Sequence, residues 1–247
     1  MQFANRLGCR TFAPGTVDQH SCGGGSSAVT LTQAFVSADP SRLQKGMGIQ
    51  KWLRLPALYN VFQDVIGGNS LRKWFIETYA PAKPGDKVID IGCGPGQIVP
   101  LLPPVDYVGF DVNKSYIAFA QQKYGDRAMF LAGDITSLRN DSRLRAADLV
   151  LGIGILHHLD DARASECVRF AHCALKRGGR FVCLEACWIA EQGMLSRYIM
   201  AKDRGQYIRT ERAYHDLLTP VFKSAKASIQ RRPMRIPYVT VVLECTK

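Results

Sequence analysis

The sequence predicts an α/β fold, a doubly wound, mostly parallel seven-stranded sheet with an antiparallel closing strand and a helical insertion over its ligand-binding edge. Three observations predict it. Val88 to Gln97 reads VIDIGCGPGQ, an apolar β-branched run that ends in alternating glycines. Strand-like and helix-like segments then alternate as far as Ala186. Beyond Ala186 a long helical stretch interrupts that order before two final strand-like runs.

Composition limits the alternatives. At 247 residues and 47% hydrophobic content the chain can bury a substantial core. The longest apolar run, near Leu149 to Leu156, is interrupted by Gly152 and Gly154, so no transmembrane segment is expected. The eight cysteines include no CxxC pair, and most fall inside apolar segments, which points to reduced core residues in a cytoplasmic protein rather than to disulfides or zinc. The net charge of +11 is uneven. Residues 88–190 carry eleven Lys/Arg against eleven Asp/Glu, residues 1–87 carry ten against five, and residues 191–247 eleven against five. Basic flanks suit an anionic acceptor, a membrane surface or nucleic acid.

Residues 1–46 show no sustained period and contain CGGGSS at Cys22–Ser27, which reads as a disordered or weakly ordered extension. A single domain is expected over 47–247, and Met47 is a candidate for the true start. Two amphipathic helices are expected between Ile49 and Tyr79, separated by Gly67-Gly68-Asn69 with Ser70 as N-cap. Pro81, Pro84 and Gly85 end the pattern. The core, 85–190, should then run strand at Val88, helix Gln97 to Leu102, strand Tyr107 to Asp111, helix Ser115 to Tyr124 and strand Ala128 to Ala132. A strand at Asp148 to Ile153 and a helix from its N-cap Asp160 to Leu175 follow, with Gly178-Gly179 as helix stop and a strand at Arg180 to Ala186. Residues 188–222 should form a helical substrate cover, and 223–247 two closing strands, Lys223 to Gln230 and Tyr238 to Cys245.

The glycine loop is built for a ligand. Side-chain-free positions let backbone groups approach it closely, and Asp90 would set a negative charge beside it. Gly92, Gly94 and Gly96 stand in G-x-G-x-G, not the G-x-G-x-x-G of dinucleotide-binding proteins. An acid two residues ahead of the first glycine suits an ammonium group better than a pyrophosphate.

With those residues in view, VIDIGCGPGQ resembles motif I of the class I S-adenosylmethionine-dependent methyltransferases, which have a Rossmann-like fold. The resemblance extends in order over about residues 85–190, through YVGFDVN, FLAGDIT, ADLVLGIGILHHL and LKRGGRFVCLEA. It implies S-adenosylmethionine as cofactor, held by Asp90, Gly92, Cys93, Gly94, Gly96 and Gln97. It also implies Asp111 on the ribose hydroxyls, Val112 on the adenine, Asp134 and Ile135 at the adenine edge, and Gly152 and Ile153 beside the methionine moiety.

Methyl transfer is an in-line displacement in which alignment does most of the work, and no metal is required. His157 and His158 follow the fourth core strand at the edge where the methyl should project, and are candidates for a base or for positioning the acceptor. Asp160 reads as a helix cap. The cover's Arg204, Tyr207 and Arg209, among other cations and aromatics, would suit a carboxylate, phosphate, glycan-linked or lipid-like acceptor. The expected activity is therefore O- or N-methylation of a small molecule. An RNA methyltransferase, a nicotinamide-dependent oxidoreductase and a catalytically silent cofactor-binding protein are the alternatives, although no nucleic-acid-binding motif is apparent.

Overall fold

In the first strand, β1 (Lys87–Ile91), successive side chains enter opposite cores, as the twofold period of a strand covered on both faces requires. Val88 packs with Phe75 and Ile76 of helix α1 (Gly68–Tyr79). Ile89 and Ile91 pack on the other side with Val168 and Ala171 of a later helix. The computed structural model describes residues 68–203, 205–231 and 237–247, all within the unit Gly46–Lys247. The expected extension 1–46, the first of the two N-terminal helices and Arg204 lie outside the described residues.

The remaining elements are β2 (Asp106–Asp111), α2 (Lys114–Tyr124), β3 (Met129–Ala132), α3 (Ile135–Leu138), β4 (Ala147–Ile153), α4 (Asp161–Ala174), β5 (Leu175–Trp188), α5 (Met194–Ala201), β6 (Arg209–Thr210), α6 (Glu211–Leu218), β7 (Ser224–Gln230) and β8 (Thr240–Thr246). The main sheet has the order β3-β2-β1-β4-β5-β8-β7. β1 to β5 are parallel, and β8 runs antiparallel to both β5 and β7. This is the expected seven-stranded, mostly parallel sheet. The strand order reverses between β1 and β4, which opens a crevice at their carboxyl ends.

Several local expectations are corrected. The segment Gln97 to Leu102 is a turn followed by a short 3-10 stretch, Val99–Leu101, because Pro100 lacks the N–H a longer helix needs and Pro103-Pro104 follow. Ser70 lies within α1 rather than capping it. Asp160 does cap α4, accepting from Arg163 N–H at 2.9 Å. Gly178-Gly179 does not stop that helix. Leu175 is already extended, and the pair lies inside β5, where Gly178 N–H reaches Lys247 O and Gly179 O accepts from Lys247 N–H. The closing strands β7 and β8 do form an antiparallel pair at one end of the sheet, with β8 against β5 and β7 outermost.

The stretch 188–222 divides in two. α6 buries Tyr214 and Leu218, with Phe222 just beyond it, in the same core as α4, so this half is a layer of the sheet rather than a cover. The two-residue β6, which sequence patterning missed, pairs with the end of β5 through Cys187 and Trp188.

Candidate active site

The loop after β1 turns on three left-handed glycines: Gly92, Gly94 and Gly96 have φ of +70°, +54° and +75°. Backbone bonds from Gly92 and Cys93 N–H to Phe110 O, at 2.9 and 3.0 Å, tie the loop to β2. A Cβ on Gly94 would meet nothing within 4 Å, whereas one on Gly92 would lie 2.9 Å from Ile155 Cδ1. Gly94 is thus the point where backbone faces open space. Cys93 turns inward, its Sγ filling the place of the missing side chain of Gly109, and burial pushes its thiol well up. Gln97 is half-buried.

Asp111 ends β2 beside this loop. Its Oδ2 accepts from Gly94 N–H at 3.0 Å and its Oδ1 from Asn113 N–H at 2.7 Å. Burial raises its pKa, opposed by those two bonds. Each carboxylate oxygen keeps a further lone pair for a hydroxyl ligand. Val112, the next residue, is 57% exposed, an apolar surface at the carboxyl edge of the sheet. Asp134 and Ile135 follow β3 at the same edge, and Ile135 is half-buried. Asp134 N-caps α3 in a capping box, with Oδ1 accepting from Ser137 N–H at 2.8 Å, and that bond lowers its pKa.

Asp90 differs from its expected role. It is 3% exposed, and its Oδ2 accepts from Tyr107 OH at 2.7 Å. Burial pushes its pKa up to about 7 despite that bond, so the carboxyl is only partly ionised near neutral pH.

His157 and His158 lie in a 3-10 turn after β4, Leu156–His158, approached through Gly152, Ile153 and Gly154. Gly152 is itself tightly enclosed, since a Cβ there would lie 2.8 Å from Cys183 Sγ. His158 is exposed, with its ring centroid 4.3 Å from that of His157. His157 is buried between two carboxylates: Nδ1 lies 2.6 Å from Glu185 Oε2 and Nε2 3.6 Å from Asp203 Oδ1. Burial alone would lower its pKa, but the Asp203 and Glu185 contacts outweigh it and raise the value to about 9. The Asp203 carboxyl is held well below the usual range by the same pairing, against its own burial. With both ring nitrogens facing carboxylates, His157 offers no free nitrogen to an acceptor's proton, which argues against the base role expected of it.

Glu185 and Asp203 were not among the expected site residues. Glu185 is 1% exposed, and its two oxygens accept from Ile155, Leu156 and His157 N–H as well as facing the ring. Its one sequence signal is an acid inside the apolar run FVCLEACW. Asp203 accepts from Gly205 N–H at 2.7 Å and from Tyr238 OH at 2.6 Å. Gly205 lies so close over His157 that an added Cβ would fall 1.9 Å from ring Cδ2. Among the described residues, His157, His158 and Asp203 are the one group whose donor atoms lie within metal-ligand range, 4.8 Å. Two of them already pair with one another, the arrangement of an ion pair rather than of an open coordination site.

The expected acceptor-binding cations fare differently. Arg209 is 8% exposed, and its guanidinium donates to Leu156 O, Tyr207 O, Leu159 O and the Asp161 carboxylate at 2.7–3.0 Å. It fastens β6 to the histidine turn, and no donor is left over for an acceptor, which corrects the expectation for it. Tyr207 stays exposed, while its N–H binds His157 O at 3.0 Å.

This geometry agrees with the matches to known proteins. Residues 88–179 match the family model described as a methyltransferase domain. Over these residues, which run from β1 into the start of β5, the chain is similar to a methyltransferase domain. Solved structures similar to the chain share its fold at low identity. Geranyl diphosphate C-methyltransferase from Streptomyces coelicolor A3(2) is 12% identical, covering 72% of this chain and 75% of that one, with a TM-score of 0.56. Human N-acetylserotonin methyltransferase is 19% identical, over 78% of this chain and 56% of that one, with a TM-score of 0.56. The mitomycin 7-O-methyltransferase MmcR is 17% identical, over 80% and 60%, with a TM-score of 0.59. No curated protein sequence matches the chain. Among the described residues no helix is long and apolar enough to cross a membrane.

The sheet puts every described residue expected at the cofactor toward the carboxyl edge of β1 to β4, in or beside the loops that leave these strands. The fit to S-adenosylmethionine rests on this chain's own features: the open backbone at Gly94, the carboxylate of Asp111 joined to it, and the apolar surface of Val112 one residue on.

Proposed function

We propose that this protein methylates a small-molecule acceptor on oxygen or nitrogen, with S-adenosylmethionine as donor, as a cytoplasmic enzyme whose catalytic domain spans 47–247. The observation that carries the reading is the bond from Gly94 N–H to Asp111 Oδ2, 3.0 Å, which joins the glycine loop to the end of β2 inside the stretch that matches a methyltransferase domain. S-adenosylmethionine, when bound, supplies an electrophilic methyl on a sulfonium.

The protein's residues do the rest. Backbone at Gly92 to Gly96 holds the amino-acid end, Asp111 the ribose, and Val112 with Ile135 the adenine, while the backbone of Gly152 and Ile153 flanks the methionine chain. His157, fixed as an imidazolium by Glu185 and Asp203, anchors the segment from Asp203 to Tyr207 against the end of β4. It is a positioning residue for the acceptor side. His158, exposed at the same edge, is the side chain placed to exchange a proton with an acceptor that must lose one. Tyr207, and Arg204 from its sequence position, remain as acceptor contacts, which fits an anionic or lipid- or glycan-linked molecule.

Calorimetric titration of the full chain with S-adenosylmethionine and with NAD tests the donor, and S-adenosylhomocysteine release across a panel of phenols, amines, carboxylates and short RNAs tests the acceptor. Binding of the sulfonium compound alone, with turnover on small acceptors, is the expected result. Binding of NAD, or turnover on RNA only, would overturn it.

A further inference from the structure

We propose that α5 docks this protein on an anionic lipid surface. The helix carries large apolar side chains on its outer face as well as burying Met200 on its inner one. Met194, Leu195 and Tyr198 are 87%, 64% and 63% exposed, and positions i, i+1 and i+4 form one continuous face. The opposite face buries Ser196 and Met200. The polar atoms behind the helix are satisfied internally, with Gln192 Nε2 donating to Ser196 Oγ at 2.8 Å. A helix that hides a serine and presents three large apolar side chains gains nothing from water on that face. It gains from a medium that covers it.

The charges identify the medium. α5 contains no acid. Arg197 is exposed on one flank, and Lys202, just past the last turn, sets its Nζ 5.7 Å over the Tyr198 ring. Apolar side chains bracketed by cations match an anionic bilayer interface, where the apolar groups enter the headgroup boundary and the cations meet phosphates. A second copy fits less well, because pairing two such faces would bring Arg197 and Lys202 of both copies together. The inner residue Met200 also lines a cleft of about 300 Å³ with Trp188, Ala201, Asp203, Gly205 and Ile208. Docking through α5 therefore places a cleft next to the histidine turn at the lipid boundary. The docking goes beyond the acceptor reading and is measured without any methyl transfer.

The test is co-sedimentation of the full chain with vesicles of phosphatidylcholine alone and of phosphatidylcholine with about one-third phosphatidylglycerol. The wild type should bind the anionic vesicles. Met194→Ser, Leu195→Ser and Tyr198→Ser together should weaken binding on the order of 100-fold. Arg197→Gln with Lys202→Gln should weaken it roughly 30-fold and abolish the preference for phosphatidylglycerol. All five side chains are exposed, and unchanged circular dichroism and S-adenosylmethionine affinity will show that the variants remain folded. Vesicle binding untouched by either set would overturn the proposal, since basic residues elsewhere would then be responsible. So would a wild type that ignores both vesicles and forms a dimer which the triple variant breaks.

Discussion

Replacing His157 with Gln should remove a pH-dependent part of this protein's stability. In the folded chain His157 titrates at about 9, against 6.5 for an ordinary histidine, because Asp203 and Glu185 overcome the cost of burial. A raised pKa means that the folded state holds the proton more tightly. Its contribution is complete below 6.5 and disappears as pH rises through about 9. At ~1.4 kcal/mol per pH unit, the interval between these values corresponds to about 3 kcal/mol. The lowered pKa of Asp203 describes the same contact from its other side and adds no pH dependence above neutral pH. Asp90, raised to about 7, also loses stabilisation as pH rises, but its loss is over by that point. Buried thiols such as Cys93, Cys167 and Cys183, held above their ordinary range, also lose stabilisation toward pH 10, so the difference between wild type and His157→Gln in urea unfolding from pH 7.5 to 10 isolates the histidine. His157→Gln should be less stable at pH 7.5, and the gap between the two proteins should close as the pH rises to 10. Parallel curves for the two proteins would refute a charged His157 and restore it as a candidate base.

Asp111→Ala should weaken S-adenosylmethionine binding by about 2 kcal/mol, a charged hydrogen-bond pair, and unchanged calorimetric affinity in a folded variant would sink the ribose assignment. Arg209→Met should lower stability by about 3 kcal/mol, by orphaning the carbonyls of Leu156, Leu159 and Tyr207, and a folded variant should show no separate rise in acceptor KM. A selective KM increase at unaltered melting temperature would instead return Arg209 to acceptor binding. Gly205→Ala drives a Cβ into the His157 ring, so turnover should fall while donor affinity survives, as read by steady-state kinetics beside calorimetry; equal loss of both would contradict a role confined to the acceptor side.

Much of the fold was legible in order along the chain. The apolar run before the glycines, the alternation of helical and extended periods, and the acid closing YVGFD are local patterns, and each maps directly onto β1, the parallel sheet and Asp111. Local patterning erred where a short-range signal had two uses. Gly178-Gly179 is a good helix stop in sequence, yet it serves a strand that pairs with the chain terminus. The helical period after Trp188 covers both α5 and α6, and only packing separates the one with an apolar outer face from the one with Tyr214 and Leu218 in the core.

The sequence by itself determined the donor side of this protein, because a cofactor loop is contiguous: three glycines, an acid at the end of the next strand and an apolar neighbour specify it within a short span. Only the tertiary structure decided the charges on the acceptor side. Glu185 and Asp203 lie 28 and 46 residues beyond His157, and Arg209 finds the carbonyls of Leu156 and Leu159 about 50 residues back. A residue type states what charge a side chain can carry. Whether that charge is kept, neutralised or shared depends on the groups the fold brings within a few ångströms and on the water it removes.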